Sequence, residues 1–274
     1  MTLPASAALG TMHGKEAALG PPLAALGITL IRPEIDTDRF GTFTAETPRH
    51  GTMVDAARAK ARAAIAATGL NVGIASEGAY GPHPSIPFLP LGREVLLWHE
   101  AETGREIVEQ AVDDHPTYDH AEVANLADAE ALLSRVDFPL TALIVAPASD
   151  ALPTAKGLRD RDTLLAAIRQ AAANSADGRA FLQTDMRAHM NPRRMQVIAG
   201  LAARLAQRLS TPCPQCRAAG WGLLRREPGL PCGDCGTPTA LVAHDIYGCT
   251  ACGAEDRAPR TGTADPAHCP YCNP

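Results

Sequence analysis

Residues 213–272 contain one short pattern four times: CPQC at 213–216, CGDC at 232–235, CTAC at 249–252 and CPYC at 269–272. Successive copies are separated by 15, 13 and 16 residues, and no cysteine occurs elsewhere in the 274-residue chain. Two residues between cysteines allow a tight turn to direct both thiolates at one tetrahedral metal ion. The pattern predicts two structural Zn²⁺ ions with four thiolates each, and iron is the weaker alternative. The predicted ligands are Cys213, Cys216, Cys232, Cys235, Cys249, Cys252, Cys269 and Cys272.

Sequential, interleaved and nested pairings of these turns all supply four thiolates per ion. Residues 232–252 alone resemble a zinc ribbon, because 239–247 is strand-like and leads into the third turn. We therefore favour the nested pairing, second turn with third and first with fourth. Three residues that tolerate a left-handed backbone follow the second cysteine of a turn: Gly236, Gly253 and Asn273. His244 and His268 are expected to be bystanders, since eight thiolates fill two sites.

The composition is typical of a soluble globular protein, with 46% hydrophobic and 20% charged residues. No apolar run approaches the roughly 20 residues that a membrane span needs. Residues 1–10 lack the basic region and long apolar stretch of a secretory signal. We therefore expect a cytoplasmic protein that does not enter a membrane and in which disulfides are disfavoured.

The net charge of -5 is distributed unevenly along the chain. Residues 1–185 contain 15 basic and 24 acidic residues, 186–226 contain 8 arginines and no acid, and 227–274 contain 2 basic and 6 acidic residues. The basic band at 186–226 can dock on the acidic body or bind a polyanion such as nucleic acid. We favour docking, because arginine clusters more often serve packing and solubility.

Apolar strand-like runs alternate with alanine-rich helical stretches in the body of the chain, which predicts a mixed-sheet α/β fold. The predicted strands are 5–10, 28–31, 71–76, 94–99, 106–112, 140–146 and 180–184. The predicted helices are one interrupted near Pro21-Pro22, then 55–67, 121–134, 163–173 and 193–209. The expected organisation is an α/β domain over 1–184, a basic linker helix over 185–210 and a double zinc-ribbon module over 211–274.

Polar residues follow the first three predicted strands, where ligands bind in open α/β sheets. They are His13, Lys15 and Glu16, then Asp36, Asp38, Arg39 and Glu46, then Glu77, Tyr80 and His83. Three such loops can form a cleft for a phosphate-bearing substrate with Mg²⁺, which prefers carboxylate oxygens. The predicted catalytic residues are Lys15, Glu16, Asp36, Asp38 and Glu77. The alternative interpretation is that these side chains are solvated loop residues and caps.

A second dense polar stretch covers residues 184–195. Arg187 and Arg193 can clamp an anion there, although Arg187 can instead pair with Asp185. The predicted substrate-binding residues are His13, His83, Arg187, His189 and Arg193.

Five segments carry a resemblance to a bacterial family of uncharacterised proteins, domain of unknown function 6671. They are HGKE (13–16), DTDRFGTFTAE (36–46), ASEGAYGPHP (75–84), TDMRAHMNPRRM (184–195) and the terminal CPYCNP (269–274). The resemblance extends from about residue 13 to the last residue. It implies zinc binding at all four cysteine pairs and no established activity.

A second resemblance concerns the inosine/xanthosine triphosphate pyrophosphatases. It rests on the Lys-Glu turn at 15–16, the helix residues 57–61 and the strand end GIASEG at 73–78. It implies that Lys15 meets phosphate and that Glu77 serves Mg²⁺. The loop with Asp36 and Asp38 and the cysteine-rich tail have no counterpart in that family.

Three functions remain open from the sequence. The first is an enzyme acting on a phosphorylated or otherwise anionic, nucleotide-like small molecule. The second is a nucleic-acid-binding protein that uses the ribbons and the basic band. The third is a protein-interaction module with structural zinc, although only 4% of the residues are aromatic and a large aromatic anchor patch is not expected.

Overall fold

The structure is a computed structural model that describes residues 3–41 and 47–274. Glu46, one of the loop residues named above, lies outside the described residues. The chain divides into two compact units, Pro4–Leu205 and a smaller one made mainly of Ala206–Pro274. Among the described helices, none combines the length and the apolar character that crossing a membrane requires.

The first sheet of the larger unit has five strands in the order β2-β1-β3-β4-β5. Its strands are β1 (Ser6–Leu9), β2 (Thr29–Ile31), β3 (Val72–Pro82), β4 (Pro90–Glu100) and β5 (Glu106–Asp113). β1 is parallel to β2 and β3, whereas β3, β4 and β5 form an antiparallel meander. Helices α1 (Glu16–Ala24) and α2 (Met53–Thr68) connect the parallel strands. The mixed sheet confirms the predicted fold class.

Helix α2 packs closely on β3 because four of the five buried residues of the helix are alanines. The helix begins at a capping box, in which Thr52 Oγ1 accepts from Asp55 N and Asp55 Oδ2 accepts from Thr52 N. It ends at Gly69, whose left-handed φ of 71° no longer continues the helix. A Cβ on Gly73 would lie 2.5 Å from the carbonyl oxygen of Ala61, so the helix backbone touches the strand. The buried residues of the helix are Ala56, Ala57, Lys60, Ala61 and Ala64.

The second sheet of the larger unit is antiparallel, with the order β6-β9-β7-β8. Its strands and the intervening helices are β6 (His120–Val123), α3 (Leu126–Arg135), β7 (Leu143–Ala146), β8 (Ala155–Leu158), α4 (Arg161–Ala173) and β9 (Ala180–Thr184). One apolar core joins these elements, and Leu132, Leu143, Leu164 and Leu182 are among its fully buried members. Strand β8 was not predicted, since its sequence AKGL carries no strand pattern.

The helix predicted over 121–134 begins later, at Leu126. Residues 120–123 form β6 instead, because they pair with β9. Asn125 then caps the helix, and its Oδ1 accepts a 3.1 Å hydrogen bond from Asp128 N. A partner strand more than 50 residues away thus overrides the local helical pattern.

Two elements of the first sheet are longer than predicted. Helix α1 continues through Pro21 and Pro22 and ends at Ala24, although neither proline has the N–H that would donate to the carbonyl four residues earlier. Strand β3 continues past Ser76 to Pro82, since it stays paired with β4 over its whole length.

The smaller unit contains a three-stranded antiparallel sheet in the order β10-β11-β12. The strands are Gly222–Pro228, Val242–Gly248 and Glu255–Pro259. Helix α5, Pro192–Ser210, leads from the larger unit into this one along the chain.

Candidate metal centres and a candidate anion site

The eight cysteines of the smaller unit form two groups of four. One group is Cys213, Cys216, Cys249 and Cys252, and the other is Cys232, Cys235, Cys269 and Cys272. The four sulfur atoms of each group lie within 4.8 Å of one another. The first turn therefore pairs with the third and the second with the fourth, and the nested arrangement favoured from the sequence is wrong.

The antiparallel sheet explains this interleaved pairing. Gly222 of β10 lies opposite Gly248 of β11, so the turn before β10 meets the turn after β11. Pro259 of β12 lies opposite His244 of β11, so the chain after β12 returns to the turn before β11. The seven residues of β11 span roughly 23 Å when extended. The two turns that flank β11 consequently cannot share one ion.

The sulfur separations match tetrahedral coordination. Four of these separations are Cys213–Cys252 at 3.8 Å, Cys216–Cys249 at 3.7 Å, Cys232–Cys272 at 3.9 Å and Cys235–Cys269 at 3.6 Å. Four thiolates about 2.3 Å from one tetrahedral ion lie about 3.8 Å apart, whereas disulfide sulfurs lie about 2.05 Å apart. Each group can therefore hold a metal ion.

The turns reach this geometry through left-handed residues. Gly236 and Gly253 have φ of 73° and 74°, as predicted, and Arg217 occupies the equivalent position of the first turn with φ of 62°. Asn273 is not left-handed; its Nδ2 instead donates to Ala267 O at 2.9 Å. In the described chain, neither His244 nor His268 belongs to a four-ligand group.

A second candidate site lies in the larger unit, where β1 ends beside β3. Lys15 opens α1, Lys60 comes from α2, Glu77 from β3, Glu94 from β4 and Arg194 from α5. We call these five residues the ionic cluster. Each is at most 8% exposed, although all five are ionisable. Charged residues are rarely buried to this degree unless they are paired or functional.

One half of the ionic cluster is centred on Glu77. Lys60 Nζ donates to Glu77 Oε2 at 2.6 Å, and Arg49 Nη1 approaches Glu77 Oε1 at 3.4 Å. Lys15 Nζ donates to the backbone oxygen of Ser76 at 3.1 Å. β1 ends before this level and does not pair with β3 at Ser76. The Ser76 carbonyl oxygen therefore accepts from Lys15 instead of from a neighbouring strand.

The other half is centred on Glu94. Its Oε1 accepts a 3.0 Å hydrogen bond from the Tyr80 hydroxyl and a second from Arg194 Nε. Arg194 Nη1 also donates to the backbone oxygen of Met186. A Cβ on Gly78 would lie 2.6 Å from Glu94 Oε1 and 2.7 Å from Arg194 Nη2, so the ion pair occupies the space that glycine leaves.

Positive charge exceeds negative charge within the ionic cluster when Lys15 is protonated. Lys15, Lys60 and Arg194 are three cations, and Glu77 and Glu94 supply only two carboxylates. Burial, with repulsion from Arg194 and Lys60, lowers the pKa of Lys15 to about 7 despite the nearby carboxylates. At neutral pH this lysine is therefore divided between its ammonium and amine forms.

Two histidines lie beside the ionic cluster. The rings of His13 and His189 are stacked, with centroids 5.3 Å apart and planes 15° apart. His13 Nε2 lies 3.3 Å from Asp38 Oδ1, yet burial lowers the pKa of His13 to about 4. Burial, aided by Arg187, also lowers the pKa of His189. The His13 imidazole is consequently neutral at pH 7 and can accept or donate a hydrogen bond.

The structure thus brings five predicted site residues together, Lys15 and Glu77 in the cluster with His13, His189 and Asp38 beside it. Two other predicted catalytic residues have local partners. Glu16 Oε1 lies 2.5 Å from Arg32 Nε, and Asp36 Oδ1 accepts from Asp38 N at 2.9 Å.

The remaining predicted substrate-binding residues are engaged elsewhere. His83 lies in the turn after β3, where its Nδ1 accepts from Ser85 N and Ile86 N. The six residues that separate it from Glu77 along the strand correspond to about 20 Å.

Arg187 and Arg193 are both ion-paired. Arg187 Nη2 lies 2.6 Å from Asp185 Oδ2, the alternative named above, and Arg193 Nη2 lies 2.6 Å from Asp113 Oδ1. These contacts use the guanidinium groups that would otherwise clamp an anion.

Lys60, Glu94 and Arg194 were missed from the sequence. Lys60 lies at helical spacing within an alanine face, and Arg194 precedes Ile198 by one turn on the buried side of α5. The available signal in the sequence was therefore a charged residue at a position that the helical periodicity places on the apolar face. Glu94 offered no such signal, because a strand-end glutamate is common on the surface.

Most arginines of the basic band are paired inside their own unit. Six of the eight contact carboxylates: Arg187, Arg193, Arg194, Arg204, Arg225 and Arg226. Arg208 donates to the backbone oxygens of Gly220 and Leu223. Arg187, Arg193, Arg194 and Arg204 contact acids of the larger unit. These contacts favour docking on the acidic body over polyanion binding.

A family model described as a domain of unknown function (DUF6671) matches residues 60–274. The match covers more than three quarters of the chain. The chain belongs to the DUF6671 family. The part that matches DUF6671 contains all eight cysteines together with Lys60, Glu77, Glu94 and Arg194, whereas Lys15 precedes it. No curated protein and no solved structure matches the chain.

Proposed function

We propose that the larger unit is an enzyme that acts on a phosphorylated or otherwise anionic small molecule. The observation that carries this proposal is the ionic cluster, in which buried Lys15 lies beside the ion pairs Lys60–Glu77 and Arg194–Glu94 and, among the described residues, has no carboxylate partner of its own. An uncompensated buried charge is unfavourable in a low-dielectric site. An anionic ligand supplies the missing negative charge.

The position of the cluster in the sheet supports the proposal. In the order β2-β1-β3, the chain leaves β1 towards β2 on one side, and β3 lies on the other side. Open α/β sheets bind ligands at such a switch point, outside the carboxyl ends of the strands. Lys15 is the residue directly before α1, at this point of the sheet.

The chemistry of Lys15 supports a catalytic role. An amine with a pKa of about 7 can hold an anion as ammonium or exchange a proton near neutral pH. This agrees with the phosphate-binding role that the pyrophosphatase resemblance implies for Lys15. The Mg²⁺ role implied for Glu77 is less well supported, since Glu77 would have to release Lys60 and Arg49 to bind the ion.

Ligand binding by the full chain tests the proposal. Nucleoside triphosphates, sugar phosphates and inorganic phosphate would be titrated with and without Mg²⁺ by calorimetry, and turnover would be followed by phosphate release. Lys15→Ala should weaken binding at least tenfold, whereas Lys156→Ala in β8 should not. Absence of binding and turnover with every ligand would overturn the proposal.

We propose that each four-cysteine group binds one structural Zn²⁺. The closed thiolate set leaves no open position for a substrate, so these ions stabilise the smaller unit. Free thiols agree with the cytoplasmic location expected from the sequence. Metal analysis of protein purified without chelator should find about two zinc ions per chain. A value of zero would contradict this part of the proposal.

A further inference from the structure

Two buried polar atoms of this site have no hydrogen-bond partner among the described residues. They are Ser76 Oγ and Glu94 Oε2, and each residue is 1% exposed. Buried polar atoms in folded proteins nearly always have a partner. These two atoms are therefore evidence for a group that the chain itself does not supply.

Both atoms lie on the same face of the sheet. Gly78 of β3 pairs directly with Glu94 of β4, and Ser76 is two residues before Gly78. Side chains two residues apart on a strand share a face, so Ser76 and Glu94 are diagonal neighbours. Arg194 covers that same face, since its Nη2 lies 2.7 Å from the position of a Cβ on Gly78.

The cluster consequently has two poles of different chemistry. At one pole Lys15 Nζ, bound to the backbone oxygen of Ser76, attracts negative charge. At the other, Glu94 Oε2 is a carboxylate oxygen that repels an anion and accepts a hydrogen bond. Ser76 Oγ, which can accept or donate, belongs to the same residue that positions Lys15.

We propose that the ligand carries a hydroxyl or amino donor next to its anionic group, so that hydroxylated phosphates bind in preference to simple ones. This inference rests on the anion-binding function proposed above. The anionic group lies towards Lys15, and the donor lies towards Glu94 Oε2 and Ser76 Oγ. A sugar phosphate or a polyol phosphate meets both requirements, whereas inorganic phosphate meets only the first.

The experiment compares three probes by calorimetry on the full chain. Glycerol 3-phosphate and ribose 5-phosphate carry hydroxyl donors, and methyl phosphate carries none beyond its phosphate group. Wild type should bind the two hydroxylated probes at least tenfold more tightly than methyl phosphate. Ser76→Ala should reduce that preference about fivefold, a typical effect of one hydrogen bond. Ser85→Ala, in the exposed turn after β3, should leave it unchanged.

Ser76→Ala removes no hydrogen bond within the protein, so thermal unfolding should not occur at a lower temperature than in wild type. Equal binding of all three probes, or a preference that Ser76→Ala does not change, would overturn the inference and leave the anion-binding function intact. If no probe binds, the inference fails, and the proposed function fails with it only when the nucleoside triphosphates and inorganic phosphate also neither bind nor turn over.

Discussion

Lys60 Nζ donates a 2.6 Å hydrogen bond to Glu77 Oε2, and both residues are at most 8% exposed. The pair joins α2 to β3 at the level where β1 ends. Removing one partner of a buried ion pair typically costs about 3–5 kcal/mol, because the other charge is left uncompensated. Replacing both partners by apolar residues is far less costly.

We therefore predict that Lys60→Met lowers the free energy of unfolding by about 3 kcal/mol. Lys60→Met with Glu77→Leu should recover most of that loss. Urea unfolding of the single and double variants measures both effects. The exposed pair of Arg161 and Glu130 provides the control, and Arg161→Ala should have little effect. A double variant as unstable as the sum of its single variants would show that the two residues do not interact.

Lys15 should make stability depend on pH above neutrality. Its pKa is about 7 in the folded protein, against an ordinary value of 10.5. Between these values the unfolded chain binds more protons than the folded chain, so stability rises with pH across this window. Below pH 7 the folded protein must bury the ammonium charge.

The stability difference between Lys15→Met and wild type should therefore favour the variant by about 4 kcal/mol more at pH 6 than at pH 10. Unfolding midpoints of wild type and variant at pH 6, 8 and 10 measure the difference. A difference between the two proteins that stays constant with pH would contradict the lowered pKa.

Gly78 should tolerate no side chain. A Cβ there would lie 2.6 Å from Glu94 Oε1 and would displace the buried pair with Arg194. We expect Gly78→Ala to lower the free energy of unfolding by about 2 kcal/mol or more. Gly200 in α5 is the matched control: a Cβ there meets nothing within 4 Å, and alanine should stabilise the helix by about 1 kcal/mol. Equal effects of the two substitutions on the free energy of unfolding would contradict the close approach of Glu94 to Gly78.

Metal stoichiometry tests the interleaved pairing. Cys213 and Cys249 belong to one group, whereas Cys213 and Cys269 belong to different groups. The double variant Cys213→Ser/Cys249→Ser should keep one metal ion per chain, and Cys213→Ser/Cys269→Ser should keep none. The nested pairing requires the opposite result, so the two variants control each other.

Much of the fold was accessible from sequence because its patterns are local. The helix predicted over 55–67 forms as Met53–Thr68, and the strand predicted over 180–184 forms with the same bounds. The helix predicted over 121–134 failed at its start, where pairing with β9 makes 120–123 a strand. Lys15 was found because it lies in the turn that follows a predicted strand, whereas Arg194 required knowledge of which helix face is buried.

The sequence by itself determined the eight thiolates and the turns that present them. Two cysteines three positions apart can bind one metal ion from a single turn. Such a pair can therefore be recognised in the sequence without knowledge of any distant segment. Only the tertiary structure decided which turns meet, because the antiparallel order of β10, β11 and β12 sets that choice. It also decided the ionic cluster, since Glu94 and Arg194 are 100 residues apart in the chain. These charged residues form a site because burial shifts the pKa of an ionisable side chain such as Lys15. Burial is a property of the packed fold and not of any one segment.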